Sequence, residues 1–292
     1  MIWSNIITLS PSTGDRLLFL SLRSLAGLVG ILVFGIFTFL IIEGFPAIRD
    51  VGLLAFVTDS SWHPTEYLYN VTPMVAATLL VSAGAVLLAT PLGILLALFC
   101  QYYAPTNIAR VYQHFIELLA GIPSVVYGLW GLVVLVPLIA KLHTPGSSLL
   151  AGMLILTVMI LPIVTLVSQS ALQQVPKDLT QNAVALGLTR WSIIRHIILP
   201  TAKPGILAGV ILQTGRALGE TMAVLMVCGN VVQYPSSVFD PIRTLTANIA
   251  LDMAYATGTH RASLFFMGLL LLLIVLGLVM MAQHSSRHHA YR

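Results

Sequence analysis

Arg216 and Glu220 stand four residues apart inside Gly205 to Gly229, a run otherwise apolar enough to cross a bilayer. The midpoint of that run is Ala217, which puts Arg216 about one residue from the bilayer centre at 1.5 Å per residue. A charge at that depth costs about 2.5–3.5 kcal/mol on insertion scales, so both side chains are expected to face protein or a water-filled path. On a helix Gln213, Arg216 and Glu220 fall within roughly 60° of one another, and Thr214 and Thr221 widen the polar arc. A guanidinium keeps its proton and can hold an oxyanion by two parallel hydrogen bonds. The chemistry this arc offers is transient anion binding, with Glu220 holding Arg216 while the path is empty. A plainer reading stays open, in which the two charges neutralise each other along one helix, the acid in the less favourable C-terminal position. Beside the arc, Gly215 and Gly219, like Gly205 and Gly209, form GxxxG pairs that let another helix approach closely.

Two further stretches carry chemistry or contacts. Gly121, Pro123, Gly128 and Gly131 interrupt an apolar run where Ser124 and Tyr127 supply hydroxyls, so freed backbone groups and side chains are placed to meet an anion. The alternative is a kinked, tightly packed helix. The stretch VPKDLTQNAVALGLTRWSIIRHIILPTAKPG is too polar to span a membrane and too well patterned for a slack linker. Leu179, Ala183, Leu186, Ile193, Ile194 and Ile197 recur at helical spacing, and Pro200 and Pro204 are expected to end the helix. Gly187 permits a sharp bend between two short pieces, with Asp178 or Thr180 able to cap the first. A helix lying on the bilayer surface would show the same pattern. The chain has three lysines, Lys141, Lys177 and Lys203, and none follows a glycine, so the phosphate cradle of an NTPase is missing.

The elements that must position these residues follow from composition. Of 292 residues 58% are hydrophobic and 8% charged, and the mean hydropathy is +0.95; ordinary globular chains are about 45–50% apolar and about 25% charged. The chain reads as an integral membrane protein. Its net charge of +4 is scattered among loops without a basic stripe, which excludes nucleic acid as a partner and leaves membrane lipid. Six spans are expected, at about Phe19 to Ile42, Met74 to Cys100, Ile116 to Ala140, Leu149 to Ala171, Gly205 to Gly229 and Ser263 to Ala282. The first carries Arg16 and Arg23 at its start but is too long for a signal peptide. Arg16, Arg23, Arg110, Lys177, Arg190, Arg195, Lys203, Arg287 and Arg292 share the side of the termini, against Arg49, Lys141, Arg243 and Arg261 opposite, so both termini are expected to be cytoplasmic. The domain expectation is a tail over 1–18, a membrane domain over 19–282 with a cytoplasmic loop at about 173–204, and a basic tail over 283–292. The tail HSSRHHAYR reads as solvated beside lipid headgroups rather than as a metal site. Cys100 and Cys228 fall in apolar spans, so no disulfide framework is indicated. No internal repeat relates the two halves.

The loop also carries a resemblance. Gln181-Asn182-Ala183, three residues, Gly187, nine residues and Ile197-Ile198-Leu199-Pro200 resemble the EAA motif of ABC importer permeases, with Gln-Asn where that family usually has Glu-Ala. In that family the motif forms a coupling helix that inserts into a cleft on the ATPase subunit. RALGETMAV is similar to the signature of permeases of the phosphate-specific ABC importer in its PstC-type form. ELLAGIPSVVYGLWGL, ATPLGILLALF and TLTANIA are similar to the same family, which is matched over most of the chain after about Trp62. The resemblance implies an all-α, six-helix ABC importer type I permease bundle with a cytoplasmic coupling helix and cytoplasmic N- and C-termini, importing inorganic phosphate. It further implies a PstA-like second permease, a PstB-like ATPase dimer and a PstS-like extracytoplasmic phosphate-binding protein. The chain would bind no cofactor or metal directly, ATP being used by the ATPase. Alternatives are a permease for phosphonate, sulfate or molybdate, an ion-coupled carrier with Glu220 as proton relay, and a non-transporting sensor.

Overall fold

A computed structural model describes the backbone of residues 13–290 and the side chains of residues 14–281. The side chains of the C-terminal tail's histidines and the first twelve residues of the N-terminal tail lie outside what is described. Helix α1 (Thr13–Asp50) leads into a short α2 (Ala55–Thr58) and a hairpin of β1 (Trp62–His63) and β2 (Leu68–Tyr69), which pairs Trp62 with Tyr69. Next come α3 (Thr72–Leu98), α4 (Thr106–Ala120), α5 (Ser124–Trp130), α6 (Val136–Ala140) and α7 (Leu149–Gln173). The remainder is α8 (Lys177–Ala185), α9 (Arg190–Ile193), α10 (Leu199–Leu218), α11 (Met222–Val227), α12 (Leu245–Asp252) and α13 (Gly258–Ala290). Single turns of π-helix over Phe99–Tyr103, Gly131–Leu135 and Ile194–Ile198 extend α3, join α5 to α6 and join α9 to α10.

Five segments are long and apolar enough to cross a membrane: Gly14–Asp50, Thr72–Tyr103, Leu149–Gln173, Arg190–Leu218 and Gly258–Met281. The sixth is the pair Thr106–Ala120 and Ser124–Ala140, bent by 95°. Two expected spans are therefore corrected. The third is two rods meeting at a corner rather than one kinked helix. Pro123 has no N–H and disfavours helical geometry at the residue before it, so the chain turns there. The fifth begins at Arg190 rather than Gly205 and passes through both Pro200 and Pro204 without ending. The π turn makes this continuity possible: Leu199 donates to the Ile194 carbonyl, and the widened ladder admits a proline at the start of α10. It then stops at Leu218, where Gly219 and Glu220 close the last turn through hydrogen bonds to Gly215 and Ala217. Arg216 is thus in the final turn of its helix, not at its centre.

The core lies between α3 and α7. Ala77, Val81, Ala85, Ala89, Gly93 and Ala97 repeat every four residues along α3 and are all buried. In lipid, helices gain little from hiding apolar groups, so small residues that permit close van der Waals packing hold the pair together. A Cβ at Gly93 would come within 2.7 Å of Val164 on α7. Helix α10 meets α7 in the same way, Gly205 against Ala171 and Gly209 against Val167. Helix α1 packs on α13 through Phe39 and Phe265, whose rings meet edge to face at 5.5 Å. Cys100 and Cys228 are free thiols, as expected.

Candidate functional site

The break after α10 leaves Arg216 and Glu220 on either side of it rather than as a pair along one helix. Arg216 occupies the last turn of α10, where unpaired carbonyls favour a cation. Glu220 precedes α11, and its Oε1 accepts a hydrogen bond from the Ala223 N–H at 3.2 Å, so it caps that helix. Each charge is held by a helix end, and no Arg216–Glu220 ion pair forms among the described residues. The single-helix arc is replaced by the end of α10 and the start of α11. Arg216 is exposed in the single chain and makes no hydrogen bond or ion pair among the described residues, while Glu220 is half-buried. Gln213 is buried and its Oε1 has no hydrogen-bond donor. Thr221 donates to the Gly219 carbonyl at 3.3 Å, and Thr214 to the Val210 carbonyl at 2.9 Å. From α12, Thr246 Oγ1 donates to the Glu220 carbonyl at 2.8 Å, tying the break to the next element.

The corner before α5 lies against this break. Gly128 packs on Ala223 and Met226 of α11, and Arg216 is within electrostatic reach of the Tyr127 hydroxyl. That hydroxyl is engaged, donating to the Leu119 carbonyl at 2.7 Å, which also accepts from the Ile122 N–H where α4 ends. Tyr127 therefore braces the corner. Ser124, half-buried at the start of α5, keeps its hydroxyl free of side-chain or backbone partners among the described residues. The glycines divide differently from expectation: Gly215 meets Val275 of α13 at 3.7 Å, whereas Gly219 has no neighbouring helix beside it. The closely packed GxxxG pair is Gly205 and Gly209.

The loop over α8 and α9 forms the two expected short helices with the bend at Gly187, whose φ is +74°. A Cβ there would meet nothing within 4 Å, so conformation rather than space calls for glycine. Ala183, Ile193 and Ile194 are buried against Leu98, Leu172 and Ile198. Gln181, Asn182 and Pro200 are exposed, and Ile197 and Leu199 are half-buried. Leu186 is 81% exposed and Leu179 43%, so these two leave the inward face expected of them and join Val184, Leu188 and Trp191 in an outward apolar patch. Neither Asp178 nor Thr180 caps α8; Thr180 donates back to the Lys177 carbonyl, and the side-chain cap is Thr189 on α9.

A second constellation escaped sequence reasoning because its members are far apart in the chain. Trp62, Arg243, Asp252, Tyr255 and His260 surround a cavity of about 1070 Å³. A hydrogen bond to the Asp252 carboxylate, together with partial burial, holds the Tyr255 phenol above its ordinary pKa. Burial does the same for Tyr69. No group of three or more His, Cys, Asp or Glu among the described residues is arranged to hold a metal ion.

A family model described as binding-protein-dependent transport system inner membrane component matches residues 89–288. The chain is 41% identical to the probable ABC transporter permease protein YqgH of Bacillus subtilis (strain 168), over 82% of its own length and 79% of that protein's. It is 34% identical to the phosphate transport system permease protein PstC of Mesorhizobium japonicum, over 92% and 89% of the two chains. Its fold is similar to a chain of a bacterial alginate ABC transporter in complex with an alginate pentasaccharide-bound periplasmic protein, with a TM-score of 0.69 at 19% identity over 94% and 96% of the chains. It is also similar to the MetNI methionine ABC transporter in inward facing conformations, with a TM-score of 0.58 at 21% identity over 75% and 94%.

Proposed function

This chain belongs to the family of binding-protein-dependent transport system inner membrane components, and from that premise we propose that it is the PstC-like permease of an ATP-driven importer for inorganic phosphate. As a member of that family it is a multi-pass inner-membrane subunit that works with a separate ATPase and a substrate-binding protein. The finer assignment gives it a PstA-like second permease, a PstB-like ATPase dimer and a PstS-like phosphate-binding protein. It binds no cofactor itself, and the ATPase consumes the ATP. The coupling loop, and with it both termini, faces the cytoplasm.

The observation that supports the reading is Arg216: an exposed guanidinium without a partner among the described residues, at the end of a rod that begins in the coupling loop. Arg190–Leu218 is 29 residues of helix, about 43 Å long. The ATPase grips the outward patch of α8 and α9; its closure pulls the rod, and the break at residues 219–221 is where the movement is spent. Phosphate passing the break is met by the Arg216 fork, with Gln213, Thr221 and Ser124 beside it. Glu220 acts by holding α11 and by keeping a negative charge near the exit, so the anion is not trapped on Arg216. An ion-coupled carrier would have no use for the exposed apolar patch. The relatives' naming supports phosphate over another oxyanion.

Arg216→Gln is expected to abolish uptake of radiolabelled phosphate while the permease still assembles with its ATPase. Uptake at normal protein levels in that variant would sink the reading.

A further inference from the structure

The bundle end opposite the coupling loop holds a cavity that the translocation break does not use. Helix α3 begins at Thr72, beside the hairpin, and its π turn ends at Tyr103, beside the groove lined by Tyr102, Thr180 and Arg190. The cavity and the loop are therefore separated by about 45 Å of helix. The hairpin, the loop before α12, the end of α12 and the first turn of α13 wall the cavity.

Among the described lining residues its one carboxylate is turned inward and engaged on both oxygens. Asp252, 7% exposed at its side chain, accepts from the Tyr255 hydroxyl at 2.7 Å on Oδ1 and from the Trp62 indole at 3.3 Å on Oδ2. Arg243 Nη1 lies 3.9 Å from Oδ1, and His260 Nε2 lies 3.4 Å from Oδ2. The donors around it are not saturated. Arg243 donates from Nε to the Asn230 carbonyl at 2.9 Å and from Nη1 to Asn248 at 3.0 Å, which fixes the guanidinium plane. Its Nη2 has no hydrogen-bond partner among the described residues, and the side chain is 22% exposed. Residues 257–260 line the same space and begin α13, a helix of 33 residues whose first N–H groups lack helical acceptors and carry its positive dipole end. A fixed guanidinium with a free edge, hydroxyls of Thr257 and Thr259, and a long helix's amino end thus converge on one open volume.

We propose that this cavity is a receiving site for a free tetrahedral oxyanion, held by Arg243 Nη2 and the first turn of α13 before it reaches Arg216. The identity of the ion rests on the phosphate-importer reading. The volume is several times that of one such ion, so the anion stays largely hydrated and is held partly through water. With Asp252 close behind Arg243, binding is weak and release easy, as a station ahead of a path requires. The site is also joined to the path. Thr244, next to Arg243, caps α12 by accepting from Ala247 and lies 3.1 Å from the Thr246 hydroxyl, which in turn donates to the Glu220 carbonyl at the break.

The test uses the assembled permease in lipid nanodiscs without its binding protein. Thr257→Cys, on a Cys100→Ser and Cys228→Ala background, is labelled with an uncharged maleimide at constant ionic strength. Inorganic phosphate in the millimolar range is expected to slow labelling several-fold, and chloride is expected to have no effect. Arg243→Gln is expected to remove the protection, and Arg243→Lys, which keeps the charge but loses the fork, to shift it to higher phosphate. Absence of protection with Arg243 intact overturns the proposal without need of any Arg243 variant. Equal protection in a folded Arg243→Gln overturns it too, as does protection by the binding protein alone and not by phosphate. Arg216→Gln is expected to leave the protection in place while uptake is lost. Loss of uptake without protection therefore refutes only the receiving site, and uptake that persists in Arg216→Gln refutes the importer reading.

Discussion

At the residue scale, Glu220 separates two roles that a sequence merges. As an ion-pair partner it would need only its charge, whereas as the cap of α11 it needs an oxygen acceptor in reach of the Ala223 N–H. Glu220→Gln keeps an acceptor and drops the charge; Glu220→Ala drops both. The cap predicts that the Ala variant loses about 1 kcal/mol of stability and the Gln variant well under half of that, read as thermal midpoints of the purified complex. Phosphate uptake is expected to fall in both, because the charge that helps release the anion is gone in each. A Gln variant as unstable as the Ala variant would show that the charge, not the acceptor, holds α11. That Arg216, Glu220 and Gln213 interrupt an apolar run is legible, because polar side chains stand out against it. Their geometry is not. Periodicity assumes an unbroken helix, whereas here the ladder closes early, the Gly219 N–H bonding to the Gly215 carbonyl and the Glu220 N–H to the Ala217 carbonyl.

At the element scale, the coupling loop shows how a local rule succeeds and fails within a few residues. Gly187 is legible as a bend because a left-handed φ is costly for any residue with a Cβ. Pro200 and Pro204 were read as stops because proline removes a donor, yet the π turn before them lets the helix run on to Leu218. A one-residue bulge has no composition signature, so proline spacing alone reads as a stop. Spacing assigns Leu186 and Leu179 to the inward face, but both are exposed. The glycine makes a sharp prediction. Gly187→Ala has room for its methyl and only the left-handed strain to bear, so it is expected to cost about 1 kcal/mol and to weaken ATPase co-purification modestly. Gly187→Pro, locked near −65° where +74° is required, is expected to abolish co-purification. Unchanged recovery of the ATPase with the proline variant would argue against α8 as the docking helix.

At the scale of the whole molecule, the proposed mechanism requires that force from α8 reach Arg216 by α10 sliding as a rod against α7. Sequence spacing alone did not rank the two GxxxG pairs, since both have the same form; only the neighbours decide. Gly205 and Gly209 press on Ala171 and Val167, so they set the distance between rod and core. The small-residue stripe from Ala77 to Ala97 sets the corresponding distance between α3 and α7. Both seams exist because close packing, not hydrophobic burial, holds helices together in lipid. A methyl at Gly209 would collide with Val167, so Gly209→Ala is expected to cost about 1–3 kcal/mol through overpacking. It should also uncouple the machine, leaving ATP hydrolysis in place while phosphate uptake drops, because the rod no longer seats where the ATPase's pull is transmitted. Val167→Ala added to Gly209→Ala removes the closest clash, that with the Val167 Cγ1, and leaves the tight contact to its Cβ, so it is expected to restore much of the thermal midpoint and of the ratio of phosphate moved to ATP consumed. If the double variant regains stability but not coupling, the rod against α7 is a scaffold only, and the movement reaches the break by another element.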